Sequence, residues 1–102
     1  MMLPVPWMSP ESIDSKYFTH KTDVWSMGVM MWEIFSYGKA PYPGIEFKML
    51  PAAIKNGVRM DRPADCPAEW FASFILPCWH TDPSLRPSFF ELVQREPPVV
   101  KI

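Results

Sequence analysis

Thr22-Asp23-Val24-Trp25-Ser26-Met27-Gly28-Val29-Met30-Met31-Trp32-Glu33-Ile34-Phe35-Ser36-Tyr37-Gly38 is the stretch whose reading decides the fold. Its large apolar side chains fall on every side of a 3.6-residue helix, and a helix with no polar face has to be buried all round. The pattern predicts a helix from residue 22 or 23 to residue 37, with Thr22 as N-cap, Gly38 at the C′ position and Pro41 just past the end. Trp25, Trp32 and the methionines read as core at this spacing. Residues 24–35, broken by Ser26, Gly28 and Glu33, fall short of the roughly 20 residues that a bilayer span requires.

Outward from this helix, proline punctuates the chain. Pro4, Pro6 and Pro10 bias the residues before them away from the helical region, so residues 1–9 read as extended. Pro10-Glu11-Ser12-Ile13 then begins a short helical turn with proline in its tolerated first position. Ala40-Pro41-Tyr42-Pro43-Gly44 is a rigid turn, and residues 47–56 read as a short helix closed by Gly57, which suits Pro51 only if the helix begins near it. Trp70, Phe71, Phe74, Ile75, Cys78 and Trp79 form the stripe of an amphipathic helix. Pro77 interrupts that stripe, which predicts a kink or an early end near Leu76. Ser88-Phe89-Phe90-Glu91 has the form of a capping box, and Pro97-Pro98 stops the last helix, leaving 97–102 as a frayed tail. With no strand alternation and no repeat, the fold class is all-α.

The chain has 102 residues, enough for one small core and too few for two domains. Ten basic and eleven acidic residues are scattered along it, so no nucleic-acid or anionic-membrane footprint forms. A non-polar share of 48% argues against disorder. Cys66 and Cys78, with no C-x-x-C pair, read as reduced thiols. The opening Met1-Met2-Leu3-Pro4 has neither the basic stretch nor the apolar region of a signal peptide.

Three runs then carry a family resemblance: Leu3-Pro4-Val5-Pro6-Trp7-Met8-Ser9-Pro10-Glu11, Asp23-Val24-Trp25-Ser26-Met27-Gly28 and Asp82-Pro83-Ser84-Leu85-Arg86-Pro87. Glu33-Ile34-Phe35-Ser36-Tyr37-Gly38-Lys39-Ala40-Pro41-Tyr42-Pro43-Gly44 and Cys78-Trp79 add two more in register. Together, over residues 3–94, they resemble the C-terminal half of the large lobe of a protein kinase catalytic domain, specifically a receptor-type tyrosine kinase. The resemblance implies a partial kinase domain over 1–96 that begins at the end of the activation segment. It also implies that the parts binding ATP and performing chemistry would precede Met1.

By the same resemblance, Pro4, Val5 and Trp7 belong to the substrate-docking loop. Pro6 departs from the family, which carries a basic residue there; proline removes both a charge and an N–H. Glu11 and Arg86 correspond to the family's buried ion pair, and a planar guanidinium can grip a carboxylate through two hydrogen bonds. Asp23 corresponds to the aspartate that anchors the catalytic loop; taken alone it is a first-turn carboxylate favoured by the helix dipole.

No motif for chemistry appears in the chain itself. Gly28, Gly38, Gly44 and Gly57 form no phosphate-cradling loop, and no His-Arg-Asp or Asp-Phe-Gly motif is present. Cys78 with His80 makes a poor metal site without further ligands. Tyr17, Tyr37 and Tyr42 read as packed or half-exposed tyrosines rather than modification sites. The resemblance thus implies a piece of an ATP- and Mg²⁺-dependent protein tyrosine kinase of signal transduction, inactive alone. Its expected partners are the rest of the kinase domain, protein tyrosine substrates and a second receptor copy, on the cytosolic side of the plasma membrane in a single-pass receptor. The alternative is a truncated, non-catalytic kinase-like binding module, favoured by Pro6, Pro51, Pro77 and the short last helix. In either case the central helix, deprived of family neighbours on four or five large side chains, is expected to leave the isolated chain molten, aggregation-prone or partner-dependent.

Overall fold

A computed structural model describes residues 4–15 and 17–95. Among them there are helices and turns and no strand. A 3-10 turn at Val5–Trp7 leads to α1 (Pro10–Ser15) and α2 (His20–Phe35), followed by a 3-10 turn at Phe47–Met49 that runs into α3 (Leu50–Lys55). Next comes α4 (Ala68–Trp70), which continues as a π segment, Phe71–Ile75, and a 3-10 segment, Leu76–Trp79. A 3-10 turn at Pro83–Leu85 and α5 (Phe89–Gln94) complete the order. The tail 97–102 lies outside the described residues, as do residue 96 and the prolines predicted to end the last helix.

The central helix is α2, but its ends differ from the sequence reading. Its cap lies three residues before the predicted one: Thr19 is the N-cap, and Thr22 is the return partner of a capping box, its hydroxyl accepting from the Thr19 N–H at 3.0 Å. Its last helical residue is Phe35, and Tyr37 rather than Gly38 occupies the left-handed C′ position, with φ of 59°. Tyr37 N–H reaches Ile34 O and Gly38 N–H reaches Glu33 O, the paired bonds of a Schellman ending. The helix before Gly57 ends the same way, with Gly57 N–H on Ile54 O and Val58 N–H on Ala53 O.

One side of α2 packs fully. Val24, Trp25, Val29 and Trp32 join Leu50, Ile54, Phe71, Phe74, Ile75, Cys78, Trp79 and Leu92 in a single core. Gly28 makes the close approach possible, since a Cβ there would lie 2.8 Å from both Cys78 Cβ and Trp79 Nε1. The opposite side corrects the expectation of burial all round. Met30 is 52% exposed and Ile34 66%, while Met27, Met31 and Phe35 are half-buried against the core. Met30 and Ile34 are the large α2 side chains left exposed among the described residues, two where the sequence reading expected four or five without cover.

Two further departures have physical causes. Residues 5–7 are not extended but wind into a 3-10 turn, closed by Trp7 N–H on Pro4 O and Met8 N–H on Val5 O at 3.0 Å. Pro6 fits there because the first turn of a helix needs no donor from it. Pro77 acts upstream of the expected kink, changing the winding of the chain from Phe71 onward. Leu76 N–H reaches back five residues to Phe71 O, and from Leu76 the coil tightens. In an α-helix Ser73 C=O would accept a hydrogen bond from the N–H of residue 77, which proline lacks; here the Arg95 guanidinium donates to it instead. Pro51 sits in the first turn of α3, and Ser88 with Glu91 forms the capping box of α5.

Candidate functional site

The chain's polar interior is organised around Arg86. The turn that delivers it is set locally: Asp82 Oδ1 accepts from the Ser84 N–H at 2.9 Å and from its hydroxyl at 2.7 Å, which holds the Asp82 carboxyl below the usual range. Arg86, 2% exposed, then points inward. Its Nη1 and Nη2 each donate to one Glu11 oxygen at 2.8 Å, Nε donates to His80 O at 2.8 Å, and weaker bonds run to Lys21 O and Thr81 O. These five bonds match the five N–H donors of a guanidinium. Lys21 answers by donating from Nζ to Arg86 O.

Glu11 reaches this partner because α1 opens on Pro10 and places the carboxylate in its first turn. Burial pushes its pKa up, but the Arg86 hydrogen bond, the backbone and Ser9 outweigh that and leave it below the ordinary value. Thr22 Oγ1 also donates to Glu11 Oε2 at 3.2 Å. Thus the hydroxyl that closes the cap of α2 also touches the ion pair. The guanidinium carbons of Arg86 and Arg59 lie over the Trp25 ring, 4.9 and 4.6 Å from its centroid, within cation–π range.

The segment before α1 is fixed on α2. Trp7 Nε1 donates to Glu33 Oε1, and Ser26 Oγ donates to Trp7 O at 2.8 Å. Val5 and Trp7 are half-buried against the core, while Pro4 is exposed. Asp23 is exposed in the first turn of α2 and lies on a groove of about 540 Å³ shared with Trp7, Ser26, Met27, Met30, Glu33 and Phe89. Of the residues singled out from sequence, the structure thus brings Glu11 to Arg86, holds Trp7 on α2 and packs Val5 against the core; Asp23 lines the same groove as Trp7. Lys21, Ser26, Glu33 and Arg59 escaped the sequence reading as site residues, and Thr22 was read only as a helix cap. The seven-residue spacing of Ser26 and Glu33, polar on an otherwise apolar helix, was the available signal.

The four glycines stand apart, Gly28 inside α2 and the others singly at turns, so they build no glycine-rich loop. No group of three His, Cys, Asp or Glu side chains converges among them. Cys78 Sγ bonds Phe74 O while His80 Nδ1 accepts from the Asp82 N–H. Tyr17 and Tyr37 are exposed; Tyr42 is buried, and burial, opposed by Arg59, pushes its phenol up to about 12. No helix among the described residues is long and apolar enough to cross a membrane.

An all-α floor with its leading segment pinned by a buried carboxylate–guanidinium pair is the architecture that the resemblance implies for the large lobe of a protein kinase. Over residues 1–95 the chain matches the family described as protein tyrosine and serine/threonine kinase. It is also 47% identical over 92 residues to Fibroblast growth factor receptor 1 of Xenopus laevis. That match covers 90% of this chain and 11% of the receptor, so the chain spans about a tenth of the relative's length. The chain belongs to the protein tyrosine and serine/threonine kinase family and corresponds to part of the catalytic domain of a receptor tyrosine kinase.

Proposed function

We propose that this chain is the substrate-docking and floor portion of a receptor-type protein tyrosine kinase, which transfers the ATP γ-phosphate to tyrosine hydroxyls of proteins. Pro4 and Val5 form the surface on which the acceptor tyrosine and the residues after it lie. Trp7 anchors that surface, and Glu11 with Arg86 ties the end of the activation segment to the floor. Asp23 anchors the catalytic loop of the same domain. The observation that carries this reading is the two-bond Glu11–Arg86 pair, which fixes the docking segment to the helical core from 75 positions away.

Phosphoryl transfer needs positioned phosphates, a lysine clamp, metal ligands and an aspartate base. ATP and Mg²⁺ would be held by other parts of the domain, and this chain alone is inactive. The intact protein works on the cytosolic side of the plasma membrane as part of a single-pass receptor, with protein tyrosines as substrates and receptor dimerisation open to it. A second reading, a truncated non-catalytic binding module, is favoured by Pro6, which stands in the docking loop where the family carries a basic residue.

An antibody against residues 61–69, which are mostly exposed, can capture the native product for sizing and assay with ATP, Mg²⁺ and a tyrosine polymer. A product far above 11.8 kDa that phosphorylates tyrosine is expected. A product near that mass that binds tyrosine peptides without transfer would replace the first reading by the second. Phosphotransfer by the purified 102-residue chain would overturn the claim that it is inactive alone.

A further inference from the structure

We propose that the cavity between the turn after α2 and residues 58–65 is a binding site for a small, neutral, planar aromatic molecule whose hydrogen-bond acceptor pairs with the Tyr42 hydroxyl. The cavity holds about 470 Å³, within the range of small-molecule sites. Trp32, Phe35, Tyr42, Ile45, Met60 and Pro63 give it an aromatic and aliphatic lining. None of Pro4, Val5, Trp7, Glu11, Asp23 and Arg86 belongs to that lining, so the proposal stands whether or not the chain docks a substrate.

Tyr42 is the residue that points to a ligand. It is 3% exposed, and its hydroxyl has no hydrogen-bond partner among the described residues. A buried polar group left unpaired is costly, and folded proteins satisfy nearly all of them. Burial keeps the phenol protonated at neutral pH, so the hydroxyl offers a proton and an acceptor fits it. The backbone there is left-handed, with φ of 56°, although the residue carries a β-carbon. Tyr37 shares that conformation as part of the Schellman ending of α2, but Tyr42 ends no helix, and strain of this kind collects at binding sites. The hydroxyl is sealed from solvent, so seating the acceptor requires the wall to yield. Met60, unbranched and flexible, is the lining side chain suited to that movement.

Charge sets the class of ligand. Arg59 also lines the cavity, but its guanidinium already donates to Trp79 O, Ile54 O and Thr81 Oγ1. That leaves Lys39 and Arg62 with Asp61 and Asp65, two charges of each sign. Such a lining favours neither an anion nor a cation. Ring packing and one hydrogen bond are left to select the ligand.

Titrating the native product, expressed from its own coding sequence, with benzamide under saturation-transfer NMR tests this. Benzamide should bind with a Kd of about a millimolar. Tyr42→Phe, which removes only the hydroxyl, should weaken binding about fivefold. Ala64 is an exposed residue of the lining, and Ala64→Trp should abolish binding by filling the cavity. Benzoate and benzylammonium should each bind no more tightly than the amide. No binding of benzamide up to its solubility limit, unchanged affinity in either variant, or a preference for either ion would overturn the proposal.

Discussion

Glu11 and Arg86, 75 positions apart, meet through two hydrogen bonds of 2.8 Å, and every remaining Arg86 donor finds a backbone carbonyl. Lysine offers three donors from one point and cannot reproduce this fork. Arg86→Lys should therefore destabilise the protein by about 3 kcal/mol, the scale for breaking a buried pair. Urea unfolding checks this. A loss below about 1 kcal/mol, the scale of an exposed pair, would mean that the pair contributes little despite its burial.

The same pair makes stability sensitive to acid. Glu11 is lowered in the folded state because hydrogen bonds, Arg86 foremost, outweigh the upward push of burial. A depressed carboxylate contributes stability that is fully present above its unfolded value, about 4.3, and is lost as pH falls through the lower folded value. Unfolding midpoints should thus drop between pH 5 and 3 in the wild type more steeply than in Glu11→Gln. Parallel pH profiles would remove Glu11 from the account.

Gly28 is the contact point between α2 and the Cys78–Trp79 turn. Alanine gains about 1 kcal/mol of helix propensity over glycine. Its Cβ would, however, sit 2.8 Å from Cys78 Cβ and from Trp79 Nε1. Both neighbours are buried and cannot swing aside, so overpacking at ~1–3 kcal/mol opposes the gain. Gly28→Ala should be net destabilising and should shift Trp79 fluorescence; a stabilised variant would show that the two elements can separate at little cost.

How far the sequence showed these features depended on how local each one is. The capping box at Ser88 and Glu91 and the first-turn proline of α1 are decided by neighbours in the chain, and both were legible. The partnership of Glu11 and Arg86 was legible only through family motifs, because nothing local joins residues 75 apart. The start of α2 was misread because Thr19 and Thr22 share one capping box, and either threonine looks like a cap. The turn at Val5–Trp7 was read as extended, and the contacts of Trp7 with Ser26 and Glu33 come from across the fold. The exposure of Met30 and Ile34 depends on which elements lie nearby, a fact no helical periodicity contains.

Both Schellman endings favour glycine at the left-handed position, so adding it at one and removing it at the other should have opposite effects. Tyr37 holds φ of 59°, where a β-carbon is strained, while Gly57 holds 95° without that penalty. Tyr37→Gly gives up only an exposed hydrogen bond to Asp65 and should raise the thermal midpoint. Gly57→Ala should lower it, by about 1 kcal/mol in stability. Equal signs for the two variants would contradict the left-handed assignment at one of the ends.

Both cysteines should behave as core residues rather than as reactive thiols. Cys78 has no exposed surface, its Sγ contacts Phe74 O at 3.2 Å, and burial pushes the thiol up to about 11 against the pull of Arg95 and Arg86. At pH 8 that leaves on the order of one thiolate in a thousand, and the thiolate is the nucleophile. Cys66 is buried too and is also raised by burial, with Arg62 opposing. Iodoacetamide at pH 8 should therefore label neither residue in the folded protein and both in denaturant, with Cys66 modified before Cys78 as denaturant is added. Mapping the label by mass spectrometry checks the order. Labelling of Cys78 at the rate of a free thiol under native conditions would mean that the α4 segment and α2 are not packed as described.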